Sequence, residues 1–414
     1  MGWNSWDAYG TTVTESQVRA NAEAMVRDFL RAGYRYVVVD IQWYQPTAQG
    51  HDYKAGAALS MDEYGRLLPA VNKFPSAANN VGFKSLADYV HSLGLEFGIH
   101  VMRGIPRQAV AANAPIERTS YHARDVADTT NPARWNPDMW GVDVTRPGGQ
   151  EYYDSIARLY AAWGVDFVKA DDTGDHAFQP REIAALREAL DRTFRPIVLS
   201  ISPGPAHLDS AGFLAKYSQL WRISDDFWDT WRLVRKQFDY TRDWAAFVGV
   251  GGGWPDADML PFGRLRITDS LHRGSASRLT HDEQRTVMTL WSIFRSPLII
   301  GGDLPTLDDW TRQLLTNAEV LSVNQHGSSP RQVLERDNFR VWRSDAPRRS
   351  DVYVALFNLD SVPRTSDFRW TELALPPGRR ALRDLWEGRS TSANDAIHVT
   401  LPAHGSALYL VHAP

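Results

Sequence analysis

The feature that most constrains this chain is an alternation. Over roughly its first 325 residues, eight short β-rich runs are each followed by a longer stretch with helical periodicity. The runs are GWNSW (2–6), YRYVVVDIQW (34–43), EFGIHVM (96–102), DFVKADD (166–172), PIVLSIS (196–202), QLWRISDD (219–226), GGGWPDADML (251–260) and SPLIIGGDL (296–304). Several are continuous apolar stretches, as a parallel strand covered on both faces requires. Between the first two, TVTESQVRANAEAMVRDFLRAG opens with a capping box from Thr14 to Gln17 and stops at Gly33. It places Val18, Ala22, Met25, Val26 and Phe29 on one face. A second box, Thr280 to Glu283, opens LTHDEQRTVMTLWSIF. Eight strand–helix units count out a (β/α)8 TIM barrel.

From about residue 335 the period changes. RVWRSD, DVYVALFNLD, RALRDLWEG, AIHVTLPA and SALYLVHA are short alternating runs with turn residues between them. They predict a small C-terminal antiparallel β-sandwich domain. The expected division is a barrel over 1–328 and a sandwich over 329–414. A net charge of −4 argues against nucleic-acid or membrane-surface partners, and no run approaches the roughly 20 apolar residues of a membrane span. The absence of cysteine removes disulfides, thiolate metal sites and cysteine nucleophiles together. The chain opens inside what reads as a strand, so a leader trimmed upstream is expected, and with it a secreted or periplasmic location. Oligomeric state leaves no signature in the sequence.

In a barrel, functional groups collect at the C-terminal ends of the strands. Here those ends carry Trp6 and Asp7, Asp40 and Trp43, His100 and Arg103, Lys169 with Asp171 and Asp172, Ser200 and Ser202, Arg222 with Asp225 and Asp226, Asp256 and Asp258, and Asp303. One aspartate at a strand end ordinarily caps the next turn or helix. Eight such ends in one barrel point to a site.

A mouth rich in aspartate, with tryptophan, an arginine and a lysine, suits cleavage of an acetal between two carboxyl groups, one ionised and one protonated. Lys169 lies two residues before Asp171, so both face the same side of their strand. The ammonium would keep Asp171 ionised as a nucleophile. In WRISDDFW, Asp226 would need burial and aromatic neighbours to raise its pKa and hold a proton as general acid. A hydrolytic metal centre would need clustered histidines. The 12 present are scattered, with His100 alone near the mouth, so neither metal nor cofactor is expected.

MGWNSWDAYG, YVVVDIQW, DFVKADD, WRISDDFWD, GGGWPDADML and SPLIIGGDL, in this order, resemble glycoside hydrolase family 27, the α-galactosidase and α-N-acetylgalactosaminidase family. The resemblance implies a retaining exo-glycosidase acting on an oligosaccharide or glycoside, with Asp171 as nucleophile and Asp226 as acid/base. Asp172 and Asp225 stand in reserve should the match slip by one. It further implies substrate contacts from Trp6, Asp40, His100, Lys169, Ser202 and Arg222. The chain departs from the family in lacking the cysteines that many relatives pair near the site, and at three further places. Asp40 is followed by Ile41 where two acids are usual, His100 stands for a tyrosine, and Ser202 stands where α-galactosidases often carry a glutamate. A neighbouring specificity in the family (α-N-acetylgalactosaminidase, β-L-arabinopyranosidase or isomaltodextranase) is therefore an alternative to galactose. A barrel that binds sugar without cleaving it is another.

Overall fold

The computed structural model describes residues 1–174, 178–269, 274–348 and 350–413. All eight expected strands form, all but β3 shorter than the run that predicted them: β1 Gly2–Asn4, β2 Tyr36–Val39, β3 Glu96–Met102, β4 Phe167–Asp171, β5 Val198–Ile201, β6 Leu220–Arg222, β7 Trp254–Asp256 and β8 Ile299–Ile300. They make up the strands of a (β/α)8 barrel. The chain divides into two compact units. The first comprises 1–225, 263–276 and 299–307, and the second 226–262, 277–298 and 308–414.

The first unit holds seven of the strands, in the order β6-β5-β4-β3-β2-β1-β8. The printed pairings along this row are parallel. The first strand pairs with the last, Gly2 opposite Ile299, as closure of a barrel demands. Register then fixes what shares a level. Val38 lies opposite Gly98, His100 opposite Lys169, and Lys169 opposite Ser200. Because side chains alternate along a strand, His100, Lys169, Asp171 and Ser200 emerge on one face. Asp40, two residues beyond Val38, comes level with His100.

The helices follow the capping signals. The first long helix runs Glu15–Asp28 with its Thr14/Gln17 box formed, and the chain reverses at Gly33, whose φ of 96° suits glycine. After β3 a three-stranded antiparallel sheet intervenes (Ile105–Pro106, Ala127–Pro132, Met139–Val142), followed by helices Gly149–Trp163 and Pro180–Asp191 on either side of β4.

In the second unit, helices Trp231–Trp244 and His281–Phe294 pack directly on the C-terminal strands. The Trp231 ring stacks on His404 at 3.8 Å, Phe238 meets Phe357 edge-on at 5.0 Å, and Phe294 meets Trp342 at 6.2 Å. Glu283, from the second capping box, accepts from His404 Nδ1 at 2.6 Å. The C-terminal strands form a six-stranded antiparallel sheet and a two-stranded one, Arg364–Arg369 with Ala396–Leu401. Val341, Val354, Leu356, Phe368, Trp370 and Ile397 are buried in one core.

Candidate active site

The ends of β2, β3 and β4 bring three ionisable groups together in the first unit. The Asp40 carboxylate is 2 % exposed and accepts from donors on both oxygens. Its Oδ2 accepts from Asn4 Nδ2 at 2.7 Å and from Lys169 Nζ at 2.9 Å, and its Oδ1 accepts from the Ile41 N–H at 2.9 Å. Burial works against its ionisation, but Lys169, His100 and Asn4 outweigh burial and hold the carboxyl down to about 2. It is a permanent anion with lone pairs left for hydroxyl protons.

Asp171 ends β4. Its Oδ2 accepts from His100 Nε2 at 2.9 Å, and its Oδ1 from the backbone N–H of Asp172 at 2.9 Å. Burial pushes this carboxyl up as well. The His100 hydrogen bond and charge, the Lys169 ammonium and the Asp172 N–H together pull it below the ordinary carboxylate value. An ionised carboxylate fixed at both oxygens is what nucleophilic attack needs. His100 is fully buried. Its carbonyl accepts from the Trp43 indole at 2.8 Å, which sets the height of the imidazole. Its Nδ1 has no hydrogen-bond partner among the described residues.

Trp6 follows β1 and is half-buried. His51 meets it edge-on at 4.9 Å, and Tyr53 lies parallel to it at 6.4 Å. Ser202 is buried just past β5, with its carbonyl accepting from both the N–H and the hydroxyl of Thr173 at 3.0 Å. Arg222 is buried at the end of β6 and donates to the Ser224 carbonyl at 3.0 Å.

Asp226 belongs to the second unit. The residue after it is pinned there, because the Phe227 N–H donates to Asp258 Oδ2 at 2.7 Å and its ring lies 4.9 Å from Trp291. Asp258 is held in turn by Asp256. Asp225 and Asp226 are both exposed. The burial expected of Asp226, alongside aromatic neighbours, is therefore not what the structure gives it.

Two further strand-end aspartates are engaged by neighbouring side chains. Asp303 accepts from Tyr9 and from Thr306 Oγ1, and Asp172 pairs with Arg103. Asn4, which grips Asp40, carried no signal in the sequence, since only register brings it there. Among the described residues, one group places three metal-ligating side chains within 4.8 Å: His91, Glu96 and Asp166. It lies at the N-terminal ends of β3 and β4, away from Asp171, and Arg195 already pairs with Asp166.

A barrel whose strand ends present an ionised, doubly oriented carboxylate and a second anion clamped by lysine suits a sugar-cleaving enzyme. Comparison agrees. The α-galactosidase A family model matches residues 142–326, and the α-galactosidase C-terminal β-sandwich model matches residues 336–411. The coffee (Coffea arabica) α-galactosidase is 30 % identical over 417 residues, spanning 99 % of this chain and 93 % of its own. That of Cyamopsis tetragonoloba is 29 % identical, over 99 % and 85 %. The solved β-L-arabinopyranosidase of Geobacillus stearothermophilus, a family 27 glycoside hydrolase, is 48 % identical. Its TM-score is 0.97, with 100 % of this chain and 96 % of that one covered. The chain belongs to the α-galactosidase family, glycoside hydrolase family 27, and is a glycoside hydrolase.

Proposed function

We propose that the protein removes terminal β-L-arabinopyranosyl groups by a retaining double displacement. The observation that carries the sugar is Ile41. β-L-Arabinopyranose is α-D-galactopyranose without its C6 hydroxymethyl group. Next to Asp40, where a second acid would meet hydroxyls at that end of the ring, the chain places a branched apolar side chain that is 2 % exposed. Such a wall offers no partner to a hydroxymethyl and fills space that it would need. The likeness to the Geobacillus arabinopyranosidase supports the same reading.

In this reading an Asp171 oxygen attacks the anomeric carbon while the Asp226 proton passes to the departing glycosidic oxygen. The Asp226 carboxylate then takes a proton from water, whose oxygen displaces Asp171 from the sugar. Asp40 and Lys169 hold the ring hydroxyls, Trp6 packs on a ring face, and Arg222, Ser202 and His100 complete the surroundings.

The test is a panel of p-nitrophenyl glycosides. kcat/KM on the β-L-arabinopyranoside should exceed that on the α-D-galactoside by about 10- to 200-fold, the range one group against an apolar pocket can supply. A preference for the galactoside or the α-N-acetylgalactosaminide would overturn the sugar. An inverted first product, seen by NMR, would overturn the mechanism.

A further inference from the structure

Behind Asp171 lies a buried charge network that the reaction scheme does not use. Arg103, one residue past β3, is 3 % exposed. Its backbone N–H donates to the Asp171 carbonyl at 3.0 Å. Its Nε donates to the Asp172 carbonyl and to Asp172 Oδ2, both at 2.9 Å, and Nη2 donates to the same carboxylate at 2.7 Å. Nη1 donates to Glu182 Oε1 at 2.7 Å. The other Glu182 oxygen accepts from the Tyr153 hydroxyl at 2.6 Å and the Val142 N–H at 3.1 Å. Helix Pro180–Asp191, helix Gly149–Trp163 and the small antiparallel sheet are thereby tied to one guanidinium.

Asp172 sits at φ +61°, a left-handed conformation that non-glycine residues adopt uncommonly. The N–H of the same residue donates to Asp171 Oδ1 at 2.9 Å. Two carboxylates and one guanidinium buried together are a poor device for stability, since well-packed apolar side chains would serve as well. What the network does secure is geometry, because Arg103 grips the peptide on each side of the turn.

We propose that Arg103, braced by Glu182, is a positioning residue for glycosyl transfer: through Asp172 it fixes the carboxylate of Asp171 in its attacking orientation. The proposal rests on Asp171 being the nucleophile. Arg103 touches neither the sugar nor the reacting atoms. It holds the backbone donor that, with His100, leaves the carboxylate one orientation.

The deciding variant is Asp172→Gly. Glycine accepts the positive φ, and Arg103 keeps its pairing with Glu182, so no buried charge is stranded. Arg103→Lys and Glu182→Gln accompany it. The readouts are kcat and KM on the aryl arabinopyranoside, and the rate and affinity with which a conduritol epoxide of galacto configuration alkylates the enzyme. Losing the aim of a charged hydrogen bond should lower kcat and the alkylation rate by about tenfold to a hundredfold. KM and epoxide affinity should stay within about threefold. Arg103→Lys should fall between Asp172→Gly and the wild type. A kcat per alkylatable site unchanged in Asp172→Gly overturns the proposal, whatever happens to the melting temperature. Peptide mapping of the alkylated carboxyl keeps the two readings apart. A label on another residue removes Asp171 as nucleophile, whereas a label on Asp171 with unchanged rates removes only the role of Arg103.

Discussion

Lys169→Met tests the electrostatics of the site most directly. Lys169 Nζ stands 2.9 Å from the Asp40 carboxylate, which is 2 % exposed. At an effective dielectric constant of about 20 the pair attracts by about 6 kcal/mol before desolvation is counted. The net effect is smaller. The Asp40 carboxyl moves from 3.8 to about 2, and at ~1.36 kcal/mol per pKa unit that is about 2 kcal/mol of stability. In the wild type this contribution is fully present above pH 3.8 and is lost as pH falls through about 2. Methionine removes the cation and strands a buried carboxylate, at a cost of about 3–5 kcal/mol at pH 7. Without its partner Asp40 titrates above the unfolded value, so the folded variant takes up a proton as pH falls. The deficit against wild type should therefore shrink between pH 7 and pH 4. Adding Asp40→Asn should relieve the deficit, so that the double variant lies well above the sum of the singles. Calorimetric melting temperatures of the four proteins at both pH values measure this. An equal deficit at pH 7 and pH 4, or strict additivity of the two substitutions, would refute the coupling.

Ile41→Asp should raise the galactoside-to-arabinoside ratio of kcat/KM by about tenfold or more, because it supplies an acceptor where the C6 hydroxyl would reach; the same glycoside panel reads it. Asp226→Ala should lose about 100- to 10,000-fold on glycosides with poor leaving groups but far less on a dinitrophenyl glycoside, which departs without protonation; equal losses on both would remove Asp226 as the acid. Truncation after residue 328 should give an aggregating, dye-binding product. It strips His404, Phe357 and Trp342 from the helices that bury Trp231, Phe238 and Phe294 against them; a soluble monomer melting as the full chain does would contradict that packing.

Strands and capped helices were legible because their signals are local. EFGIHVM forms a strand over all seven residues, and both capping boxes are in place. The strand ends were overread, since YRYVVVDIQW yields a strand only over Tyr36–Val39. Beyond Val39 the chain turns to present Asp40 and to tuck Trp43 under His100. The small sheet after β3 and the strands Ser328–Arg336, Arg364–Arg369 and Arg389–Ala393 went unread. Arg364–Arg369 and Arg389–Ala393 are polar and largely exposed, and Ile105–Pro106 and Met139–Val142, of two and four residues, are too short for a period to show. In the site, spacing alone placed Lys169 on the face of Asp171. Nothing local announced Asn4 at Asp40, or Glu182 at Arg103, 79 positions apart. Asp172, held in reserve for a match that slips by one, is the residue whose backbone N–H donates to Asp171.

The brace around Arg103 has a consequence for where such chemistry can run. It is made of ions and peptide donors in a chain with no cysteine anywhere in 414 residues. Thiol reductants and disulfide-forming oxidants therefore find no sulfur–sulfur bond to break or make, and the hydrogen bonds that hold the Asp171 carboxylate are indifferent to the redox poise of their surroundings.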